Sequence, residues 1–205
     1  MAGKAKSEKL PAPLSLRERN RLRTRRELLD AALEVFAESG YGLATVENIA
    51  ARAGASKVTL YTYFPQGREE LFRELYDEVN QEMIEKVSAI YDEDGDHRAR
   101  ILAVTEALME IGQRPLIGRL YSIDDPALDV ALNPVRGHAS RVCADLMASD
   151  LAAARKSGAV KTKASTMAIA ELLVGAMRTA LSDVVQEQVA PADMLAAMDA
   201  LVSDL

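Results

Sequence analysis

The side chains of this sequence best suited to chemistry are cations and hydroxyls near the N-terminus. Nine Lys or Arg residues (Lys4, Lys6, Lys9, Arg17, Arg19, Arg21, Arg23, Arg25 and Arg26) fall within the first 26 positions, against only Glu8 and Glu18. Further along, Ser56, Lys57, Thr59, Tyr61 and Tyr63 crowd into one short stretch, with Thr45 before it and Arg68 after it. Groups of this kind donate hydrogen bonds to phosphate oxygens and to base edges. They do not make a nucleophile with its base, and there is no Gly-rich phosphate loop and no nucleophile elbow. His97 and His138 stand alone, and no Cys/His/carboxylate group has metal-ligand spacing, so neither a metal nor a cofactor is expected. Asp124-Asp125 and the acidic run Asp92-Glu93-Asp94-Gly95-Asp96 read as loop charges. The chemistry on offer is polyanion binding rather than turnover.

A net charge of −6 at first opposes that reading, but its distribution supports it. Residues 1–75 carry 13 basic and 10 acidic side chains, whereas 76–205 carry 12 and 21. A basic head on an acidic body suits a head that meets phosphates and a body that avoids them. No apolar run approaches the roughly 18–20 residues that span a bilayer. The basic N-terminus lacks the apolar stretch of a signal peptide. A single cysteine, Cys143, cannot form an intramolecular disulfide, which fits a reducing cytoplasm; such a residue is more often a buried small hydrophobe than a redox sensor.

The elements that must position the head's polar groups are helical. Ala, Leu, Glu, Met and Arg dominate the chain and strand-type alternation is nearly absent, so the fold is expected to be all-α. Residues 1–16 mix Lys, Ala, Pro and Ser without period and read as a disordered basic arm. From about Arg17 a helix carries Leu28, Leu29, Ala32, Val35 and Phe36 on one face and stops at Ser39-Gly40. A short helix follows, capped by Thr45, with Ile49, Ala50 and Ala53 as its apolar stripe. After the turn Gly54-Ala55-Ser56 comes a second short helix, Lys57 to Phe64, ended by Pro65-Gln66-Gly67. Two short helices across a tight Gly-containing turn form a helix-turn-helix. Small Ala50 and Ala53 permit close crossing. Ile49, Leu60 and Phe64 are expected to pack on Leu29, Leu33 and Phe36, leaving Lys57, Val58, Thr59 and Tyr63 on the outer face. A long helix from Arg68 to about Ile90 leads into the body, with further helices near 97–113, 115–123, 127–132, 135–157, 163–188 and 192–204, separated by Pro115, Pro126, Pro134, Gly158 and Pro191.

Read in register, Ala31-Ala32, Phe36, Gly40-Tyr41, Thr45-Val46-x-x-Ile49-Ala50-x-x-Ala53-Gly54-x-Ser56, Thr59-Leu60-Tyr61-x-Tyr63-Phe64 and Glu69-x-Leu71-Phe72 resemble the TetR (tetracycline-repressor-like) family of transcriptional regulators. The resemblance covers about residues 20–75; beyond that the chain is similar only in being helical. Val58 stands where the family often has Gly, and the loop after Phe64 is one residue longer than the commonest form, with Arg68 in place of the usual Lys.

The resemblance implies a helix-turn-helix domain over 17–66 and a helical effector-binding and dimerisation domain over 67–205. It implies that the helix beginning at Lys57 enters the major groove of operator DNA. Ser56 and Lys57 then reach base edges, Val58 packs on a thymine methyl, and Thr59 meets a base or a phosphate. Thr45, Tyr61, Tyr63 and Arg68 hold phosphates. Plainer roles stand beside these: Thr45 as a simple N-cap, Tyr61 as a half-buried core ring, and the Arg run as a solvated face. The resemblance also implies a homodimer joined through the last two helices by residues such as Met167, Leu172, Gly175, Ala176, Thr179, Met194, Met198 and Leu201, which otherwise read as intramolecular core. Finally, it implies a cavity for a small-molecule effector of unknown identity, with Met83, Met109, Tyr121, His138, Met147 and Met177 as candidate lining residues; each Met is equally a core gap-filler. The expected function is a ligand-released repressor, and the alternative is an activator or effector-independent DNA binder with the same head.

Overall fold

The computed structural model describes residues 14–121, 132, 135, 137–203 and 205, and among these residues every regular element is a helix. The basic arm through residue 13, the expected helix near 127–132 and the end of the one near 115–123 lie outside the described residues, except that Leu132 is helical.

Helix α1 (Leu16–Leu43) opens on a capping box. The Ser15 hydroxyl accepts from the Glu18 amide at 3.2 Å, and the Glu18 carboxylate accepts from the Ser15 amide at 2.8 Å. Helical geometry breaks at Gly40, whose φ of 74° lies in the left-handed region. α2 (Val46–Arg52) and α3 (Lys57–Tyr63) form the helix-turn-helix, each closed at its start by a hydroxyl: Thr45 accepts from the Asn48 amide and Ser56 from the Thr59 amide. Leu28, Leu29, Phe36, Ile49, Leu60 and Phe64 share one buried core with Leu33 at its edge, as the spacing predicts. Phe36, Tyr41 and Phe72 interlock at ring-centroid separations of 5.0 to 5.9 Å, the edge-to-face and offset arrangements aromatic rings prefer.

α4 (Arg68–Asp92) is the element that joins head to body. At 25 residues it runs about 37 Å at 1.5 Å per residue. Leu71, Phe72 and Leu75 on its first turns belong to the head core, while Val79, Met83 and Val87 belong to the body core. The body adds α5 (His97–Gln113), α6 (Pro115–Tyr121), α7 (His138–Lys156), α8 (Thr166–Val185) and α9 (Pro191–Val202). α7 packs along α8, α5 lies between α4 and α8, and α9 folds back on α5. The α5–α6 corner is close: a Cβ on Gly112 would sit 2.1 Å from Leu181 Cδ1, and one on Gly118 would sit 2.0 Å from the Gly112 carbonyl oxygen. Neither position can carry a side chain without moving a neighbour.

Candidate nucleic-acid interface and the cavity behind it

The second helix of the helix-turn-helix presents its polar side outward because Leu60 and Phe64 claim its inner side. Val58 is 77% exposed and Tyr61 is 42% exposed. Lys57 and Ser56 are exposed, and Thr59 and Tyr63 are half-buried. The Ser56 hydroxyl is committed to the cap and to the Thr59 hydroxyl, 2.8 Å away. Lys57 forms an ion pair with Glu47 of α2. The Lys57 ammonium holds that carboxyl below its ordinary range, and the pair must open for Lys57 to reach another acceptor.

Thr45, Tyr61 and Arg68, far apart in sequence, meet around one shallow notch of about 300 Å³ with Val46, Gln66 and Gly67. Gly67 has φ 64°, and a Cβ there would come within 3.2 Å of both Tyr61 Cε1 and Val46 Cγ2. The turn between Phe64 and Arg68 thus runs through a position that only glycine fills without strain. Arg68 is put to a use the sequence does not reveal. Its Nη1 donates to the carbonyl oxygens of Tyr41, Gly42 and Ala44 at 3.2, 3.3 and 3.0 Å, and its guanidinium lies 4.7 Å from the Tyr41 ring centroid. It binds up the carbonyls left without helical partners at the end of α1, so it serves first as an internal strut of the head.

The arginine run divides in the same way. Arg25 pairs through both terminal nitrogens with Glu74 and sits 4.8 Å from the Phe64 ring centroid. Arg26 reaches Asp30 and Glu78. These two side chains tie α1 to α4. Arg17, Arg19 and Arg21 are exposed on the first turns of α1.

Behind the head lies a cavity of about 530 Å³, walled by α4, α5, α7 and α8 together with Leu120 and Leu132. Met83 and Met177 line it as expected. Met109 instead packs with Ala180, Leu181 and Val184, and Met147 is fully buried in the body core; neither lines the cavity. His138 is exposed at the first position of α7, beside the lining residues Gly137 and Ala139. Tyr121 ends α6, and its side chain lies outside the described residues. The walls that sequence reasoning missed are chiefly Phe72, Val79, Val104, Leu108 and Ile111, with Tyr76, Asn80, Arg178 and Asp183 as polar groups. One signal was available: Asn80, 3% exposed, interrupts an apolar face of α4, and such a buried amide marks a site where packing is not purely hydrophobic. Cys143 lines the cavity, and burial pushes its thiol up to about 11.

The expected dimer residues separate into two groups. Met167, Leu172, Gly175, Thr179 and Leu201 are exposed, Leu172 by 75% and Leu201 by 61%. Met198 is buried in the body core, Ala176 packs against that core, and Met194 packs beside Met109 and Leu181. Met194 and Met198 face inward because α9 turns that side towards α5, and Ala176 of α8 lies against the body core, so all three make intramolecular contacts. Gly175 and Thr179 also line the cavity. Among the described residues, no cluster of His, Cys or carboxylates could hold a metal, and no helix is long and apolar enough to cross a membrane.

Residues 28–75 match the family described as bacterial regulatory proteins, tetR family. The HTH-type transcriptional regulator LuxR of Vibrio harveyi is 34% identical over 90 residues, 44% of this chain and 43% of that protein. The fatty acid metabolism regulator protein of Bacillus subtilis is 38% identical over 61 residues, 30% of this chain and 31% of that one. The chain therefore spans less than half the length of these relatives. Over nearly the whole chain the fold is similar to that of the transcriptional regulator FadR from Bacillus subtilis, solved in complex with stearoyl-CoA. That likeness has a TM-score of 0.72 at 20% identity and covers 88% of this chain and 98% of that one. The helix-turn-helix head, residues 28–75, is thus similar to the tetR family of bacterial regulatory proteins, and the helical body joined to it shares the fold of that solved regulator.

Proposed function

We propose that this DNA-binding transcriptional regulator acts as a homodimeric repressor, released from its operator when a small amphipathic molecule enters the cavity of the body. The observation that carries the reading is the double membership of α4. Phe72 lies in the head core and also on the cavity wall, and Tyr76, Val79, Asn80 and Met83 continue that wall along the same helix. A molecule that fills the cavity pushes on the helix to which α1 is fastened by Arg25 and Arg26. A change in the tilt of α4 becomes a change in the separation of the two recognition helices, which must match successive major grooves.

In this reading Lys57, Val58 and Thr59 face base edges, with Ser56 holding the start of their helix. Thr45, Tyr61 and the rim of the notch hold phosphate, and half-buried Tyr63 sets the depth of insertion. The largely apolar wall favours a ligand with a hydrocarbon body. FadR of Bacillus subtilis, solved with stearoyl-CoA, makes long-chain acyl thioesters the first compounds to try. Moving the operator-competent state from 99:1 to 1:99 takes a differential affinity of roughly 10⁴-fold.

The test begins with binding sites selected from random duplex DNA by the purified chain, followed by titration of the best site at several salt concentrations. A pseudo-palindrome with half-sites about one helical turn apart and a steep salt slope is the expected result. Failure to enrich any sequence would remove the operator reading. Acyl-CoA thioesters of graded length are then added to the complex; if none weakens it and the footprint lies upstream of the promoter, the activator alternative replaces the repressor.

A further inference from the structure

The helices α2 and α3 carry three charged side chains between them, Glu47 and Arg52 on α2 and Lys57 on α3. Arg52 is turned to α1, where Glu34 and Glu38 hold it at 2.9 and 2.7 Å. Glu47 meets α3 instead. It follows Thr45 and Val46 of the notch on the first turn of α2, it is exposed, and its carboxylate is paired with Lys57. A carboxylate on a surface that meets a polyanion is repelled by phosphate in every register, so it needs a donor on the DNA to offset that cost. When Lys57 leaves the pair for a guanine O6 or N7, the Glu47 oxygens lose their partner and are carried towards the same base edges. The donors that bases present in the major groove are the exocyclic amino groups of cytosine and adenine. Adenine sets its N7 acceptor beside that amino group, where it repels a carboxylate, and cytosine has no such acceptor.

We infer that Glu47 is a second reader of sequence, accepting a hydrogen bond from the N4 amino group of a cytosine one base step from the guanine that Lys57 contacts. The two heads touch before DNA arrives, and opening their pair sets them at the spacing of successive bases, about 3.4 Å along a strand. This rests on the operator reading above and adds a base contact from α2 to those of α3. Glu47 also acts against wrong sites. Wherever no cytosine amino group faces it, the carboxylate enters the groove without a donor and close to phosphates, so specificity comes from a repulsive element as well as an attractive one.

The test uses the best duplex selected by the wild type, together with duplexes in which each base pair of the half-sites is replaced in turn. Fluorescence anisotropy gives Kd for the wild type, Glu47→Ala, Glu47→Gln and Lys57→Ala, and circular dichroism checks that each is folded. The wild type is expected to lose roughly tenfold or more when one particular C·G pair is replaced, the scale of a single base contact. Glu47→Ala should bring that preference down to about twofold or less while keeping the preference for the neighbouring guanine, and Lys57→Ala should do the reverse. Glu47→Gln keeps an acceptor for the cytosine amino group and gains a donor for adenine N7, so it should accept adenine at that position as well as cytosine. Because Gln and Glu have the same shape, this variant decides the matter even if Glu47→Ala is unfolded. A Glu47→Ala variant that shifts Kd by one common factor on every duplex overturns the inference, as does a Glu47→Gln variant that still rejects adenine. Either result leaves Glu47 acting only through Lys57 and phosphate, and the operator reading stands. Failure to enrich any sequence removes the operator reading and this inference with it.

Discussion

Head and body are both bundles of helices, yet they are filled differently. The head uses all three Phe residues of the chain, Phe36, Phe64 and Phe72, locked with Tyr41 around short capped helices. The body core relies on Met83, Met147, Met177, Met198, Cys143 and small Ala residues, and it encloses a cavity of about 530 Å³. Rings have few rotamers and fixed shapes, so a core of rings holds its surface in one geometry. Methionine is flexible and fills irregular space, so a core rich in Met tolerates an absent or a variable occupant. A surface that must match the spacing of base edges requires the first kind of core. A site that accepts a ligand and changes shape with it requires the second. α4 is built from both, aromatic and leucine-rich over its first turns and methionine-bearing beyond, and it joins one region to the other.

That contrast can be broken by truncation. Phe36→Ala should cost the head about 3–5 kcal/mol and abolish DNA binding at physiological temperature, with helicity of the body retained; circular dichroism melting with a DNA-binding assay checks it. In the body, Met147→Ala removes a fully buried side chain from close packing and should cost about 2–5 kcal/mol. Met83→Ala, on the cavity wall, should cost distinctly less, because one side of that residue already faces open space. Equal losses from the two, measured by urea denaturation, would show that the cavity is filled in solution.

Arg68→Ala sharpens the head's side of the comparison. Three carbonyl oxygens lose their donor, so a loss of about 2 kcal/mol in stability is expected in the absence of DNA. A variant with unchanged melting but weaker DNA binding would return Arg68 to the role of a phosphate contact. The smallest effect belongs to Glu47. Glu47→Gln removes a carboxylate beside Lys57 and should tighten DNA binding by less than about fivefold. The folded-state acidity of Glu47 is increased by Lys57, so its contact is present above the ordinary carboxylate range and disappears as pH falls through the lowered value. The Arg52–Glu38 and Arg98–Asp199 contacts share that sign, and acid titration of the wild type should show a shallow early loss that Glu47→Gln makes smaller.

The head was legible in the sequence because its determinants are local. Thr45 and Ser56 cap the amides three residues on, Gly54 turns the chain, and Ile49, Leu60 and Phe64 recur at helical spacing. The capping box at Ser15 and Glu18 was readable by the same rule and extends α1 by one residue beyond the expected start. Body helices were legible as elements from Pro and Gly punctuation, but their partners were not. Met198 and Leu201 lie three residues apart on α9, and the period alone does not say that the first packs on α5 while the second meets solvent. Met109 and Met83 look alike in sequence, and only the packing of α8 decides which one borders empty space. Arg68, Arg25 and Arg26 read as phosphate ligands because a cation near a recognition helix usually is one. Apart from Asp30, on the turn after Arg26, their carbonyl and carboxylate partners lie 24 to 52 residues away, beyond any pattern a window can detect.

The most direct test of the account takes the best selected duplex and an unrelated duplex of the same length, and measures binding of wild type and Lys57→Ala to both. A base-reading Lys57 predicts that the variant loses roughly tenfold or more on the selected duplex and little on the unrelated one, lowering the specificity ratio. An equal loss on both duplexes would mean that Lys57 meets only phosphate, and the assignment of α3 as the reader of sequence would be wrong.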